Sequence, residues 1–535
     1  MMISLKSKLM GLGFMALSFS AFAQKAAPAN WFNLDLTSDN VHGVSTEKAY
    51  KELLNGKKPK KTVLVAVIDS GVDYEHEDLK DVMWVNPKEI KGNGKDDDGN
   101  GYADDIYGWN FIGGKNGNID NESLEMTRVY AELKAKTKRS KKEEAFYTKL
   151  KEEIDGKTAE AKGALSTITT IVKAIETLEA HFGNSNFKLE DLKKIADDAS
   201  KEVQSAKEVY NSFGARSPEL TAAEFKESLD GALSYYKSQV EYNLNPDFNP
   251  RPAIIGDDYA NQNERLYGNS DCIGPDAEHG THVAGIIGAV RNNSIGMDGV
   301  ANSVRIMSVR AVPNGDERDK DVANAIRYAV DNGAEVINMS FGKSYSYNKK
   351  LVDAAVKYAE KKGVLLVHAA GNDSKHIDVE YNFPSKFYQS GSDPYKRGKK
   401  SAKNWIEVGA LSWKSGADAP AVFSNFGKNT VDLFAPGVDI NSTIPGSKYK
   451  PNSGTSMAAP VVAGVAALVK SYYPELSAAE LKICLEKSVT PISSQVNKPG
   501  TKSKVDFKEL SITGGVVNVY AALKLAEEMV AAKKK

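Results

Sequence analysis

Short apolar runs alternate along the chain with segments in which apolar residues recur at helical spacing. The runs are rich in β-branched residues and have the length of buried strands. Two of the intervening segments, 321–333 and 349–363, carry an apolar face and end at glycine, as amphipathic helices do. The predicted strands cover residues 63–68, 304–312, 334–340, 363–370, 405–411 and 431–437.

This alternation predicts the fold class. Repeated βαβ units give a doubly wound α/β fold, in which a mostly parallel sheet has helices on both faces. Functional residues in such sheets gather at the carboxyl ends of the strands. We therefore expect the chemistry of this protein where the predicted strands end.

Residues 121–242 depart from the alternation. They carry helical periodicity, clearest over 165–182, with many charges and a single proline, Pro218. We predict about four helices, packed as hairpins or a short coiled coil. Two interpretations stay open: a self-packed all-helical insertion on a loop, or an arm that binds a protein partner or gates substrate access. The pattern also predicts breaks at Gly156, Gly183 and Gly214 and a helix start at Ser217-Pro218.

The N-terminus has the pattern of a signal peptide. Lys6 and Lys8 precede an apolar run, 9–23, which ends in Ala21-Phe22-Ala23. That small-x-small ending predicts cleavage after Ala23 and export, to the periplasm or the exterior. The run is too short to span a bilayer, and no later stretch was expected to do so, which predicts no stable membrane insertion.

The composition argues against some classes of protein. The 70 basic and 70 acidic residues give a formal net charge of zero, so nothing favours nucleic-acid binding or an acidic disordered chain. With 41% hydrophobic residues the chain can bury a substantial core. Its two cysteines, Cys272 and Cys484, are compatible with a disulfide or with two free thiols.

Three motifs carry residues suited to nucleophilic acyl transfer. Asp69 ends the first predicted strand in IDSGVD, His279 opens HGTHVAG, and Ser456 lies in GTSMAAP ahead of an apolar helical run. A serine attacks, a histidine takes its proton, and an aspartate holds the imidazole and stabilises its charged form. A helix start also offers N–H groups to a developing negative charge.

These motifs, in the order Asp69, His279, Ser456, resemble those of the subtilisin-like serine peptidases, the subtilase family. The resemblance covers about 50–120 and 245–525. It implies a subtilisin-like fold and hydrolysis of protein or peptide substrates through an acyl-enzyme. It assigns the base to His279, the first histidine of its motif, whereas His282 is expected to be a packed helix residue.

The resemblance implies further site residues. Asn372, in LLVHAAGND, would donate to the oxyanion together with the backbone N–H of Ser456. Residues 334–342 resemble the substrate-binding edge strand of the family. There Ser340, Phe341 and Gly342 would pair with the substrate backbone by β-augmentation.

Residues 93–105 are dense in oxygen ligands. Asp96, Asp98, Asn100 and Asp104 occupy positions of an EF-hand-type loop, but Tyr107 stands where such a loop ends in glutamate. Hard oxygen donors favour Ca²⁺, which subtilases commonly use for stability, so we expect structural calcium here. A solvated acidic turn is the alternative.

The predicted function is a secreted serine endopeptidase. A binding protein on an inactive subtilase fold, acting through its helical insertion, is the main alternative, and an esterase or ligase is a third. The short stretch before Asp69 leaves no room for a folded propeptide, and residues 30–36 are interpreted as the start of the catalytic domain. The predicted organisation is a signal peptide (1–23), a first catalytic part (24–120), the insertion (121–242), a second catalytic part (243–525) and a short Lys-rich tail (526–535).

Overall fold

The structure, a computed structural model, describes residues 27–393 and 395–534. The predicted signal peptide lies outside the described residues. The described chain divides into two compact units. The sheet unit comprises residues 27–125 and 250–534, and the helical unit comprises Met126–Asn249.

The sheet unit is built on a nine-stranded sheet, and four two-stranded ribbons (β3–β4, β8–β9, β12–β13 and β15–β16) complete its strands. The strands are β1 (Val63–Asp69), β2 (Gly108–Asn110), β3 (Gly113–Gly114), β4 (Gly117–Asn118), β5 (Val304–Arg310), β6 (Val336–Met339), β7 (Leu365–Ala369), β8 (Phe387–Gln389), β9 (Arg397–Ser401), β10 (Trp405–Leu411), β11 (Leu433–Pro436), β12 (Ile440–Ile444), β13 (Lys448–Asn452), β14 (Thr490–Pro491), β15 (Gln495–Asn497), β16 (Lys504–Asp506) and β17 (Gly515–Val516).

The large sheet has the order β14-β17-β11-β10-β7-β6-β1-β5-β2, and every neighbouring pair is parallel except β14 and β17. The predicted doubly wound, mostly parallel sheet is thus confirmed. Strands β6, β7 and β10 are buried along their whole length, as strands covered on both faces must be.

Helices cover both faces of this sheet. Alternate residues of β1 belong to two different cores: Val65 and Val67 pack with α8 and α11, whereas Ala66 and Ile68 pack with α9 and α10. The helices are α1 (Leu36–Asp39), α2 (Thr46–Glu52), α3 (Glu125–Ala135), α4 (Lys141–Phe182), α5 (Lys201–Gly214), α6 (Ala222–Ser238), α7 (Arg251–Ile254), α8 (Glu278–Gly288), α9 (Asp319–Asp331), α10 (Lys349–Lys362), α11 (Thr455–Tyr472), α12 (Ala478–Lys487) and α13 (Val519–Lys533).

Helix α11 corrects one expectation from the sequence. It is the one helix of the described chain that is long and apolar enough to cross a membrane, although no second stretch of that kind was predicted. Of its 18 residues 89% are buried inside the protein, which identifies it as a core helix. Its apolar side chains pack against the sheet and against α8.

The chain ends of the sheet unit are ordered. Trp31 and Phe32 are fully buried in the core beside α11, so residues 30–36 pack as part of this unit. The predicted tail 526–535 is helical as far as Lys533, because Ala526 and Val530 continue the apolar face of α13.

Both cysteines are buried and unbonded. Burial raises the pKa of Cys272 and of Cys484 to about 12. The structure therefore has two inert thiols in place of a disulfide.

The helical unit has its own core, formed by α4, α5, α6 and the segment that links α4 to α5. Ile175, Leu178, Tyr210 and Ala222 are buried in it. The unit begins and ends a few residues later than the predicted insertion 121–242. Within it, Thr127 Oγ1 donates to the carbonyl oxygen of Asn243 at 2.9 Å, so its first and last elements meet.

Local signals in the helical unit were partly misleading. Gly156 lies inside α4, which continues to its C-cap at Gly183, where φ is 70°. One exposed glycine costs a helix only about 1 kcal/mol relative to alanine, which the surrounding helix formers outweigh. The N-cap of α6 is Thr221, which forms a capping box with Glu224, and not Ser217.

Candidate active site

The first pair of candidate catalytic residues meets where β1 ends and α8 begins. Asp69 is the last residue of β1, and its Oδ1 accepts a hydrogen bond from His279 Nδ1 at 2.7 Å. The close approach depends on glycine, because a Cβ at Gly280 would lie 2.0 Å from the Gly71 carbonyl oxygen. A proton held on Nδ1 leaves His279 Nε2 as the proton-accepting nitrogen.

The charge environment favours a protonatable His279. Burial lowers the pKa of the imidazole, but the facing Asp69 carboxylate raises it, and Asp276 and Glu278 add to that rise. The net shift is upward from the ordinary value of 6.5. Lost hydration is the largest single contribution, but the attraction of the three carboxylates together outweighs it.

Ser456 lies in the first turn of α11 and faces the end of β6. Its Oγ donates to the Ser340 carbonyl oxygen at 3.1 Å, and Ser340 Oγ donates to the Ser456 carbonyl oxygen at 2.8 Å. A role for Ser456 as nucleophile would require its hydroxyl to exchange the bond to Ser340 for one to His279 Nε2. Catalytic hydrogen bonds often tighten in this way only when substrate binds.

Asn372 is held next to the Ser456 backbone. Its Oδ1 accepts from the backbone N–H of Thr455 at 2.8 Å and from Thr455 Oγ1 at 2.9 Å, which turns its Nδ2 away. A Cβ added to Gly454 would lie 3.4 Å from Asn372 Nδ2 and 3.5 Å from Ser456 N. Two N–H donors therefore border one small space that glycine leaves open, the arrangement that stabilises an oxyanion.

The predicted substrate segment lies differently from expectation. Strand β6 is an interior strand between β1 and β7, so the prediction of an edge strand is wrong. Ser340, Phe341 and Gly342 follow its last residue and leave the sheet, and only Gly342 is exposed. An edge strand exposes part of its surface, whereas every residue of β6 is buried, as a strand in the interior of the sheet requires.

Asn382 lies beside the predicted substrate segment, a placement that the sequence did not indicate. Its Nδ2 donates to the carbonyl oxygens of Ala369 and Ala370 at 3.3 and 3.0 Å, and its Oδ1 would lie 2.7 Å from a Cβ at Gly342. It therefore lies between Gly342, the exposed residue of that segment, and the end of β7. No motif surrounds it, so only the folded chain could reveal it.

The family comparison agrees with this geometry. The model of the subtilase family matches residues 60–509. The chain belongs to the subtilase family.

Individual relatives match over shorter stretches. The thermophilic serine proteinase of Bacillus sp. (strain AK1) is 45% identical over 194 residues, which are 36% of this chain and 42% of that protein. Subtilisin of Bacillus pumilus is 37% identical over 222 residues, 41% of this chain and 72% of its own length. A solved protease structure from Pseudoalteromonas arctica PAMC 21717 shares 29% identity over 46% of this chain and 70% of that chain, with a TM-score of 0.37.

The second histidine of this subtilase lies apart from Asp69. His282 is fully buried in α8, and its Nε2 is 3.1 Å from the carbonyl oxygen of Lys450. Burial lowers the pKa of His282 to about 4, which keeps the ring neutral. These contacts agree with the expectation of a packed helix residue.

The acidic loop of the subtilase brings together a different ligand set from the predicted one. Carboxylate oxygens of Glu89, Asp96 and Asp98 lie within 4.8 Å of one another. Glu89 precedes the predicted window, and its carboxylate also accepts from the backbone N–H groups of Asp97, Asp98 and Asp104. Three carboxylates at this spacing suit a hard divalent cation.

Two predicted ligands are turned elsewhere. The Asp104 carboxylate accepts from the backbone N–H groups of Gly92, Asn93 and Gly94. Asn100 Oδ1 accepts from its neighbour Tyr102 N, and its Nδ2 donates to Asp105. The EF-hand spacing therefore fails at these positions, because unpaired backbone N–H groups of the loop compete for the side-chain oxygens.

Proposed function

We propose that this chain is an exported serine endopeptidase that hydrolyses peptide bonds through an acyl-enzyme on Ser456. The observation that carries the proposal is the 2.7 Å contact between Asp69 and His279, on a fold that also presents Ser456 beside two oxyanion donors. The apolar segment 9–23 and its Ala-Phe-Ala ending support export. The relatives described above, a serine proteinase and a subtilisin, support the reaction class.

The proposed mechanism assigns one task to each group. His279 Nε2 takes the proton of Ser456 Oγ as the oxygen attacks the scissile carbonyl. Asn372 Nδ2 and the Ser456 N–H stabilise the resulting oxyanion, and Asp69 stabilises the imidazolium. His279 then passes its proton to the leaving amine. In the second half, His279 takes a proton from water as the water oxygen attacks the acyl carbonyl, and it returns that proton to Ser456 Oγ as the acid product leaves.

Covalent labelling tests the proposal directly. A sulfonyl fluoride should modify Ser456, located by mass spectrometry of the digested protein, and the same protein should cleave members of a mixed peptide library. Prior labelling should stop that cleavage. A folded protein that neither reacts nor cleaves, yet captures a protein through its helical unit, would support the binding-protein alternative instead.

Asn372→Ala is expected to lower kcat by roughly a hundred- to a thousandfold with little change in KM, because its bond to the substrate forms mainly in the transition state. Steady-state kinetics on one peptide measure both constants. Asn382→Ala serves as the comparison, since Asn382 lies near the substrate segment but borders no oxyanion space. A raised KM with an unchanged kcat in Asn372→Ala would remove Asn372 from this role.

We infer that the acidic loop binds structural Ca²⁺ through Glu89, Asp96 and Asp98. The donor set is all oxygen, and its charges repel without a cation. An ion bound only to the folded protein stabilises it by mass action, by about 2.7 kcal/mol at a hundredfold excess over Kd.

Chelation is therefore expected to lower the melting temperature by several degrees, and added Ca²⁺ should restore it. The double variant Asp96→Asn, Asp98→Asn should lose most of this response. Asp97→Asn is the matched control in the same loop, because Asp97 is not one of the three converging carboxylates. Equal calcium responses in the double variant and the wild type would place the ion elsewhere.

We also propose that Met126–Asn249 is an accessory module acting on large substrates or on a protein partner. The contact of Thr127 with Asn243 means that a short Gly/Ser loop can replace the module without stretching the chain. Hydrolysis of small peptides should then persist within a few-fold, while cleavage of protein substrates changes. A truncated protein that melts cooperatively but has lost small-peptide hydrolysis would contradict the accessory role.

A further inference from the structure

A cavity of about 260 Å³ opens beside His279 in the sheet unit. Val312 and Pro313 supply apolar surface, and Asp120 and Asp276 supply carboxylates. Ser340, which is hydrogen-bonded to Ser456, also borders the cavity. The cavity therefore adjoins the path of a substrate that reaches the proposed nucleophile.

The cavity is electrically unbalanced. Three carboxylates border it, those of Asp69, Asp120 and Asp276, against one cation, Arg310. The excess is therefore 3 − 1 = 2 negative charges when His279 is neutral. The Asp69 carboxylate is buried and paired with His279, so the carboxylates available to a ligand are those of Asp120 and Asp276.

The single cation is already committed. Arg310 is 1% exposed, and its guanidinium donates to the Ser70 carbonyl, Asn110 Oδ1 and the Ile119 carbonyl. All three acceptors are uncharged, so the guanidinium's hydrogen bonds are not made to the rim carboxylates. The Arg310 charge is part of the net balance, but none of its hydrogen bonds occupies the Asp120 or Asp276 carboxylate, which can therefore receive another cation.

The two rim carboxylates are exposed and have only neutral partners. Asp120 accepts from Asn121 Nδ2 at 3.1 Å, and Asp276 accepts from the backbone N–H of Glu278 at 3.1 Å. Within residues 27–393 and 395–534, neither forms an ion pair. Two exposed carboxylates at one cavity, next to apolar surface, match a long side chain that ends in a positive charge.

We propose that this cavity binds the lysine or arginine side chain of the substrate residue that precedes the scissile residue, the P2 position. The proposal rests on the proposed peptidase function. An extended peptide alternates its side chains between two sides. We place the acyl portion along Ser340–Gly342. Asn382 lies beside Gly342, whereas the cavity lies beside Ser340 and His279, so the P1 side chain would face Asn382 and the P2 side chain would face the cavity. Val312 and Pro313 would contact the methylene stem, and Asp120 and Asp276 would receive the cation.

Matched peptides that differ only at P2 test this inference. We expect kcat/KM for P2 lysine to exceed that for the neutral isostere norleucine by about tenfold, and P2 glutamate to be the poorest substrate. The preference should shrink as salt is added, since the rim carboxylates are exposed. Asp120→Asn with Asp276→Asn should reduce the lysine-to-norleucine ratio to near one, whereas Asp506→Asn, an exposed carboxylate outside the cavity, should leave it unchanged.

Using a ratio of two substrates removes effects that the variants have on His279 itself, because both substrates experience the same base. A ratio near one in the wild type, or a high ratio that survives in the double variant, would overturn the proposal while leaving the peptidase function standing. If no peptide is hydrolysed, the peptidase function fails. The cavity is then tested by measuring how tightly the same matched peptides, now carrying a fluorescent label, bind to Ser456→Ala. Equal affinity for the lysine and norleucine peptides overturns the proposal.

Discussion

Replacing Ser456 by alanine is expected to abolish hydrolysis, with a loss in kcat on the order of a millionfold, while the protein keeps its fold. The only described hydrogen bond of its hydroxyl runs to the Ser340 carbonyl at 3.1 Å, and the side chain is half-buried at a helix start. Alanine fits there without strain, so the melting temperature should change little. Peptide kinetics and a thermal melt measure both effects.

Ser453→Ala is the control for this variant. Its hydroxyl accepts a hydrogen bond from the backbone N–H of Asp439, just before the turn that leads into α11. Turnover should survive this change. Measurable turnover by Ser456→Ala, freshly purified and showing a native melt, would exclude Ser456 as the nucleophile.

His279→Ala is expected to lower kcat/KM by more than a thousandfold, because among the described residues only the His279 imidazole is hydrogen-bonded to Asp69. His282→Gln, in the same helix, keeps a donor for the Lys450 carbonyl and should retain most activity. Comparable losses in both variants, with both folded, would contradict the assignment of the base.

The pH profile gives an independent test of the same base. Protonated His279 cannot accept a proton, so kcat/KM should fall as pH decreases through the pKa of His279, which its carboxylate neighbours raise above 6.5. Asp276→Asn removes one of those charges and should move this acidic limb to lower pH. A limb that does not move would mean that another group controls it.

Local sequence patterns predicted the strands, because a strand buried on both faces is a nearly continuous run of apolar residues. The run that became β1 was placed to within one residue, and its C-terminal end at Asp69 is where the structure has it. Motifs likewise indicated His279 and Ser456, each at the start of a helix. These features depend on neighbours in the chain, which a sequence displays.

Features that depend on contacts between residues far apart in the chain could not be predicted from local sequence patterns. The interior place of β6 follows from sheet order, which no local pattern encodes. Glu89 and Asn382 join their sites only through chain folding. Asp104 fitted an EF-hand spacing, yet three backbone N–H groups of its own loop hold its carboxylate.

The bond between Thr127 and Asn243 has a consequence for the order of folding. The parallel pairing of β1 with β5 needs chain segments on either side of the helical unit to meet. Each doubling of a flexible loop adds about 0.6 kcal/mol to the entropy cost of closing it. Once its helices have formed and joined their ends, the unit behaves as a link of a few residues, so the connection between β1 and β5 shrinks to roughly half its length, which is one doubling, or about 0.6 kcal/mol. Early formation of the helical unit therefore speeds assembly of the sheet by shortening the effective distance along the chain.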